Sequence, residues 1–167
     1  MTHDLAVDPL ERSCTELVFT DTRQSQGDEQ RGETLTAREL ISIPVFVLLG
    51  EPGMGKSRVM DALAKHAVGD FITVNDFIVH NAMVRDGSRT LFIDALDEAR
   101  ASEDTTVWRE LRRGIARSAI GRFGVACRAA DWNSTDREDL VSVAKDQAIR
   151  VFSLDPLTPE QRRSVLR

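Results

Sequence analysis

Eight consecutive residues, Gly50-Glu51-Pro52-Gly53-Met54-Gly55-Lys56-Ser57, carry the densest chemical content of the chain. Their spacing is G-x-x-x-x-G-K-[ST], the pattern of a loop that holds phosphates. Gly50, Gly53 and Gly55 can take backbone angles closed to residues with a Cβ, and they let a ligand approach the main chain. The loop amides then make a concavity for anions, and the positive end of a following helix adds to that field. On this reading Lys56 reaches the β- and γ-phosphates of a bound nucleotide, and Ser57 places its hydroxyl on Mg2+. Glu51, Pro52, Met54 and Arg58 complete the set expected against the nucleotide.

A second group follows an apolar run, in Leu91-Phe92-Ile93-Asp94-Ala95-Leu96-Asp97-Glu98. Acids at a strand exit commonly only cap the next helix. Three acids in five positions, downstream of such a loop, point instead to metal and water chemistry. Asp94 is expected to face the loop from the neighbouring strand, holding Mg2+ through a water and orienting Ser57. Asp97 or Glu98 is expected to polarise a water for in-line attack on the γ-phosphate, and the residues leave the choice between them open. A third group, Cys127-Arg128-Ala129-Ala130-Asp131-Trp132, puts Arg128 where it could touch the γ-phosphate. The plainer alternative is a surface arginine or a partner for Asp131. Trp132 reads as packing rather than as a stacking platform.

The elements that must position these groups alternate. Val45–Leu49 is a short, wholly apolar run, as in a buried parallel strand. Val59, Met60, Leu63, Ala64 and Ala67 then recur at helical spacing. Further strands are expected at 71–74, 90–93, 123–127 and 149–154. Helices are expected at 76–85, at 104–120, from the capping box Thr135-Asp136-Arg137-Glu138, and from Thr158-Pro159-Glu160-Gln161. The helix at 104–120 should bury Val107, Trp108, Leu111, Ile115 and Ala119. Its arginines Arg109, Arg112, Arg113 and Arg117 read as a solvated face rather than a nucleic-acid stripe. Residues 1–33 read as a polar N-terminal extension, with a short strand at 17–20 and a loop at 24–33. Thr36-Ala37-Arg38-Glu39 opens a short helix that Pro44 stops. Residues 34–167 then form an α/β core with a mainly parallel, five-stranded sheet covered on both faces. Ligands of such sheets bind beyond the carboxyl ends of the strands, where all three groups lie.

Composition narrows the partners. The chain has 167 residues, 41% apolar and 29% charged, with a net charge of −5. No overall basic field invites nucleic acid or an anionic membrane. Two cysteines, Cys14 and Cys127, make neither a disulfide framework nor a metal cluster. No signal peptide or membrane-length apolar run is visible, so a cytoplasmic setting is expected.

Taken together, the three groups resemble a NACHT NTPase, of the STAND class of signalling ATPases. The small Ala95 beside Asp94, with acids three and four positions beyond Asp94, is the particular mark of that family. Leu154-Asp155-Pro156-Leu157-Thr158 is similar to the segment that closes its nucleotide-binding core. The resemblance covers about residues 40–167 and implies a three-layer P-loop NTPase sandwich. It also implies an ATP/ADP switch with slow Mg2+-dependent hydrolysis that forms homo-oligomers in a longer protein, often one of bacterial defence. Under it Lys56 and Ser57 bind phosphate and Mg2+, Asp94 supports the metal, Asp97 and Glu98 assist hydrolysis, and Arg128 is the sensor arginine. The family suggests adenine, and no N-K-x-D stretch argues for guanine; residues 34–44 are expected near the base. Unlike the family, the chain shows no helical lid, winged helix, effector or sensor repeats, so it is expected to be a core whose lid is missing. Two alternatives stand beside this reading: a nucleotide-binding fragment without turnover, and a P-loop kinase-type phosphotransferase. The latter needs an arginine-bearing lid that the sequence does not display.

Overall fold

Three apolar runs decide the architecture. Val45–Leu49 (β3), Leu91–Asp94 (β5) and Phe123–Cys127 (β6) are buried at every position. The computed structural model describes residues 7–19, 30–80, 88–94 and 106–165. Within it these runs join Ser13–Val18 (β1), Gln30–Thr36 (β2), Asp70–Thr73 (β4) and Ile149–Leu154 (β7) in one seven-stranded sheet, ordered β2-β1-β7-β3-β6-β5-β4. The block from β7 to β4 is parallel throughout. β1 pairs antiparallel with both β7 and β2.

Alternation along the strands explains why the runs are without polar residues up to Asp94 at the tip of β5. Val45, Val47 and Leu49 pack into a core with Phe77 of α2 (Val74–His80) and Trp108, Leu111 and Ile115 of α3 (Thr106–Arg117). Phe46 and Leu48 point the other way, into a second core with Val59, Met60 and Leu63 of α1 (Lys56–His66). A strand covered on both faces has no solvent side on which to place a polar residue. Close packing also selects glycine: a Cβ at Gly124 would stand 2.3 Å from Phe46 Cζ on the adjacent strand. One at Gly114 would stand 2.5 Å from Phe77 Cε1, where α3 meets α2.

Several expectations change. The sheet has seven strands where five were expected, because β1 and β2 extend it. The expected boundary at 33/34 falls inside β2, and the stretch read as a loop at 24–33 ends in that strand. The sequence of β2, Gln-Arg-Gly-Glu-Thr-Leu-Thr, holds a single large apolar residue, so it lacks the alternation that marks a strand facing a core. Residues 37–42 form a 3-10 helix, with Glu39 accepting from the Thr36 amide at 2.7 Å. Ala119 is exposed beyond the end of α3, whereas Trp108, Leu111 and Ile115 are buried as expected.

Helix α4 (Ser134–Val141) is capped by Asn133, two residues before the cap of the expected box at Thr135. Asn133 and Asp136 cap it reciprocally, at 2.9 and 3.1 Å. An asparagine side chain accepts from the backbone as well as a threonine does, so two overlapping boxes competed. At α5 (Pro159–Val165) the expected cap is present: the Thr158 amide donates to Gln161 at 2.9 Å and the Gln161 amide to Thr158 Oγ1 at 3.2 Å. In α3, Arg113 pairs with Glu110 at 2.9 Å and Arg112 with Asp139 of α4, which fits a solvated, ion-paired face.

Candidate functional site

The glycine-rich loop leaves the buried end of β3 at Gly50 and enters α1 at Lys56. Two of its glycines hold left-handed angles, Gly53 at φ 79° and Gly55 at φ 90°, and Gly55 is the N-cap of α1. A side chain at either would be strained. Lys56 is 8% exposed. Its ammonium folds back along the loop, donating to the carbonyls of Gly50 at 2.8 Å and Glu51 at 3.2 Å. The Met54 amide closes a turn onto the Glu51 carbonyl at 3.3 Å. Glu51, Pro52, Ser57 and Arg58 are exposed around this rim.

Asp94 is the last residue of β5 and is 7% exposed. The expectation that its strand adjoins the loop's strand is corrected: β6 lies between β3 and β5. The chain crosses over through α3 and inserts β6 beside β3, a choice made by sheet topology that motif spacing cannot reveal. Asp94 has the same parity as Phe92, which packs in the α1 core. Alternation therefore turns Asp94 toward the face on which α1 and Ser57 sit. Arg128 follows β6, one step beyond the paired Leu49 and Cys127, level with Gly50. The fold thus brings the loop, Asp94 and Arg128 to one end of the sheet. Asp97 and Glu98 lie outside the described residues. Trp132 packs against the core on the opposite face, as expected, and walls a cavity of about 360 Å3 with Leu49, Thr15, Ser153 and Asp155.

Arg12 was not singled out in the sequence. It lies between a 3-10 turn at Pro9–Glu11 and β1, and it is 6% exposed. Its Nη1 donates to the Met54 carbonyl at 2.9 Å and its Nη2 to the Asp155 carbonyl at 2.6 Å. Burial pulls its pKa below the ordinary guanidinium value, opposed by Cys14 and Asp155. No local signal could have found it, since its acceptors are 42 and 143 residues away. Beside it, a cavity of about 180 Å3 is lined by Val7, Pro9, Arg12, Gly55, Arg58 and Leu157. No lining residue comes from 34–44, the stretch expected near a base. Cys14 is buried, and its thiol is pushed up to about 12, first by burial and then by the charge of Asp155. A thiol held protonated in this way is no nucleophile at neutral pH. Cys127 is also buried.

Among the described residues no helix is long and apolar enough to cross a membrane, and no three His, Cys, Asp or Glu gather as a metal cluster. No protein-family model matches the chain, and no curated protein matches it.

Proposed function

We propose that this chain is the nucleotide-binding core of a P-loop NTPase of the NACHT type, an ATP/ADP switch that hydrolyses ATP slowly with Mg2+ in the cytoplasm. One observation carries the reading: a glycine loop with two left-handed residues joins a buried parallel strand to a helix and encloses the Lys56 ammonium. That ammonium is held by two neutral carbonyls, a buried cation for which phosphate oxygens are stronger acceptors. Space supports the fit, since a Cβ at Gly53 would meet no atom within 4 Å.

Residue roles follow from this placement. Lys56 binds the β- and γ-phosphates. The Ser57 hydroxyl and the Asp94 carboxylate are hard oxygen donors that would hold Mg2+. Bound there, the ion would supply neutralisation of the negative charge on the phosphates. Arg128 distinguishes a triphosphate from a diphosphate, and Asp97 or Glu98 orients the attacking water. The nucleoside extends over the cavity beside Gly55, with adenine as the base that the family resemblance favours.

Calorimetric titration with Mg-ATP and Mg-ADP tests the proposal. The wild-type chain should bind both, and Lys56→Ala should bind each more than about a hundredfold more weakly. Equal affinity in the two proteins would sink the reading. Arg128→Ala should lower the preference for ATP over ADP, and an unchanged ratio of dissociation constants would dismiss the sensor role. Phosphate release by Asp97→Ala and Glu98→Ala separates a turning-over switch from a binding fragment, because only the former loses rate while keeping affinity.

A further inference from the structure

We propose that Arg12 is a positioning residue for the phosphate loop, a guanidinium from the N-terminal segment that sets the orientation of the Met54–Gly55 peptide. The inference rests on the phosphate-loop reading and deepens it. In a trans peptide the carbonyl and the following N–H point in opposite directions. By accepting from Arg12 Nη1 at 2.9 Å, the Met54 carbonyl commits the Gly55 N–H to the opposite edge of the peptide, pointing away from Arg12. The peptide needs such a restraint. Gly53 at φ 79° and Gly55 at φ 90° lie on either side of Met54, and glycine leaves positive and negative φ nearly equal in energy. A loop built from such residues can flip its peptides, and a flipped 54–55 unit would aim a carbonyl where an anion requires an amide.

Arg12 is itself rigidly placed. Its carbonyl accepts from the Ala37 amide at 2.7 Å, and the next residue, Ser13, accepts from the Asp155 amide at 2.9 Å. Its second donor grips the Asp155 carbonyl at 2.6 Å, and the Asp155 carboxylate accepts from Thr15 at 2.9 Å. The planar fork spans two acceptors on separate segments, which a lysine ammonium on a flexible stem does poorly. Burying a guanidinium is costly when packing alone needs only an aliphatic chain. Both acceptors here are backbone carbonyls, so the positive charge is retained beside the loop, 3.7 Å from where a Cβ of Gly55 would stand. Arg12 therefore acts on the loop twice, through the peptide that it orients and through its field. It also ties the loop to the chain leaving β7, so the two segments should loosen together.

The test compares wild type, Arg12→Met and Arg12→Lys by titration with Mg-ADP, Mg-ATP and inorganic pyrophosphate, alongside amide hydrogen exchange. In Arg12→Met, affinity for all three ligands should fall by about tenfold, the scale of one charge-assisted hydrogen bond. The ATP-to-ADP ratio should not change, in contrast to Arg128→Ala. Exchange should quicken at Met54, Gly55 and Asp155 while the β3 and β6 amides keep their protection. Arg12→Lys should recover part of the affinity, because it restores the charge without the fork. Unchanged pyrophosphate affinity in Arg12→Met, or exchange that rises evenly across the sheet, overturns the proposal. Should Arg12→Met prove unfolded by circular dichroism, Arg12→Lys decides by the same readouts, with wild-type values overturning it. If the wild type binds none of the three ligands, the phosphate-loop reading falls instead. Localised exchange in the variant then reports on its own whether Arg12 holds the loop.

Discussion

The parallel block of the sheet and its antiparallel edge solve the same problem with different residues. In β3, β5 and β6 each position is buried, and neighbouring strands meet through Phe46, Phe92, Val125 and their like. In β1 and β2 the pairing is polar. Arg150 of β7 donates to Glu16 of β1 at 2.7 Å through both Nε and Nη2, and reaches Glu33 of β2 at 3.1 Å. Arg150 also lies 5.0 Å from the Phe152 ring centroid. The block is held by close packing, which tolerates little change in volume. The edge is held by directed contacts at partly exposed side chains, which tolerate change in size but respond to charge and pH. The glycine-rich loop grows from the block, whereas Arg12, which donates to that loop, comes from beside the edge.

Four substitutions separate the two regions, in decreasing order of effect. At the block's functional rim, Lys56→Ala should cost more than about a hundredfold in nucleotide affinity, near 3 kcal/mol, as read by calorimetry. Affinity within a few fold of wild type would detach the rim from the function proposed for it. Gly124→Ala should destabilise the fold by about 2 kcal/mol in chemical denaturation, because the fully buried Phe46 ring has no room to move aside. A loss below about 0.5 kcal/mol would mean that the block is looser than its packing implies.

At the edge, Arg150→Met should cost about 1 kcal/mol at neutral pH. The hydrogen bond from Arg150 is the chief cause of the lowered Glu16 pKa. A depressed carboxylate contributes stability that is present above its unfolded value, about 4.3, and is lost as pH falls through the lower folded value. The wild type should therefore lose this increment in acid, and the variant should show a flatter acid limb. Parallel limbs would assign the pair no linkage. Smallest of all, Gly32→Ala should change stability by less than about 0.5 kcal/mol. The nearest atom to its added Cβ, at 2.9 Å, is the Cγ2 end of Val18, a side chain 40% exposed and able to turn away. A loss as large as that of Gly124→Ala would erase the contrast.

Legibility followed the same divide. The strand at 123–127 is readable to the residue because burial on both faces writes apolar character into every position or nearly so, and the strand at 149–154 is readable from its weak alternation, Arg150 and Ser153 being its half-buried positions. β2 is unreadable, since a strand at the sheet edge keeps a wet side and its sequence holds a single large apolar residue, Leu35. Arg12 was unreadable for a related reason: its role is defined by two carbonyls, and carbonyls carry no sequence signature. The chain neighbours of Asp94 place it at a strand tip, but only the sheet order shows that β6 separates that strand from the loop's strand.

By itself the sequence determined the local structure: where a glycine loop joins strand to helix, where Lys56 and Ser57 stand on it, and which runs must be buried. These depend on φ preferences, side-chain type and periodicity, all of which act over a few residues. Tertiary structure alone decided that β6 separates β3 from β5, that the N-terminal strands complete the sheet, and that Arg12 reaches the loop. Those outcomes come from closing long stretches of chain so that each strand finds hydrogen-bonding partners and each apolar face finds cover, and local residue patterns do not encode that sum.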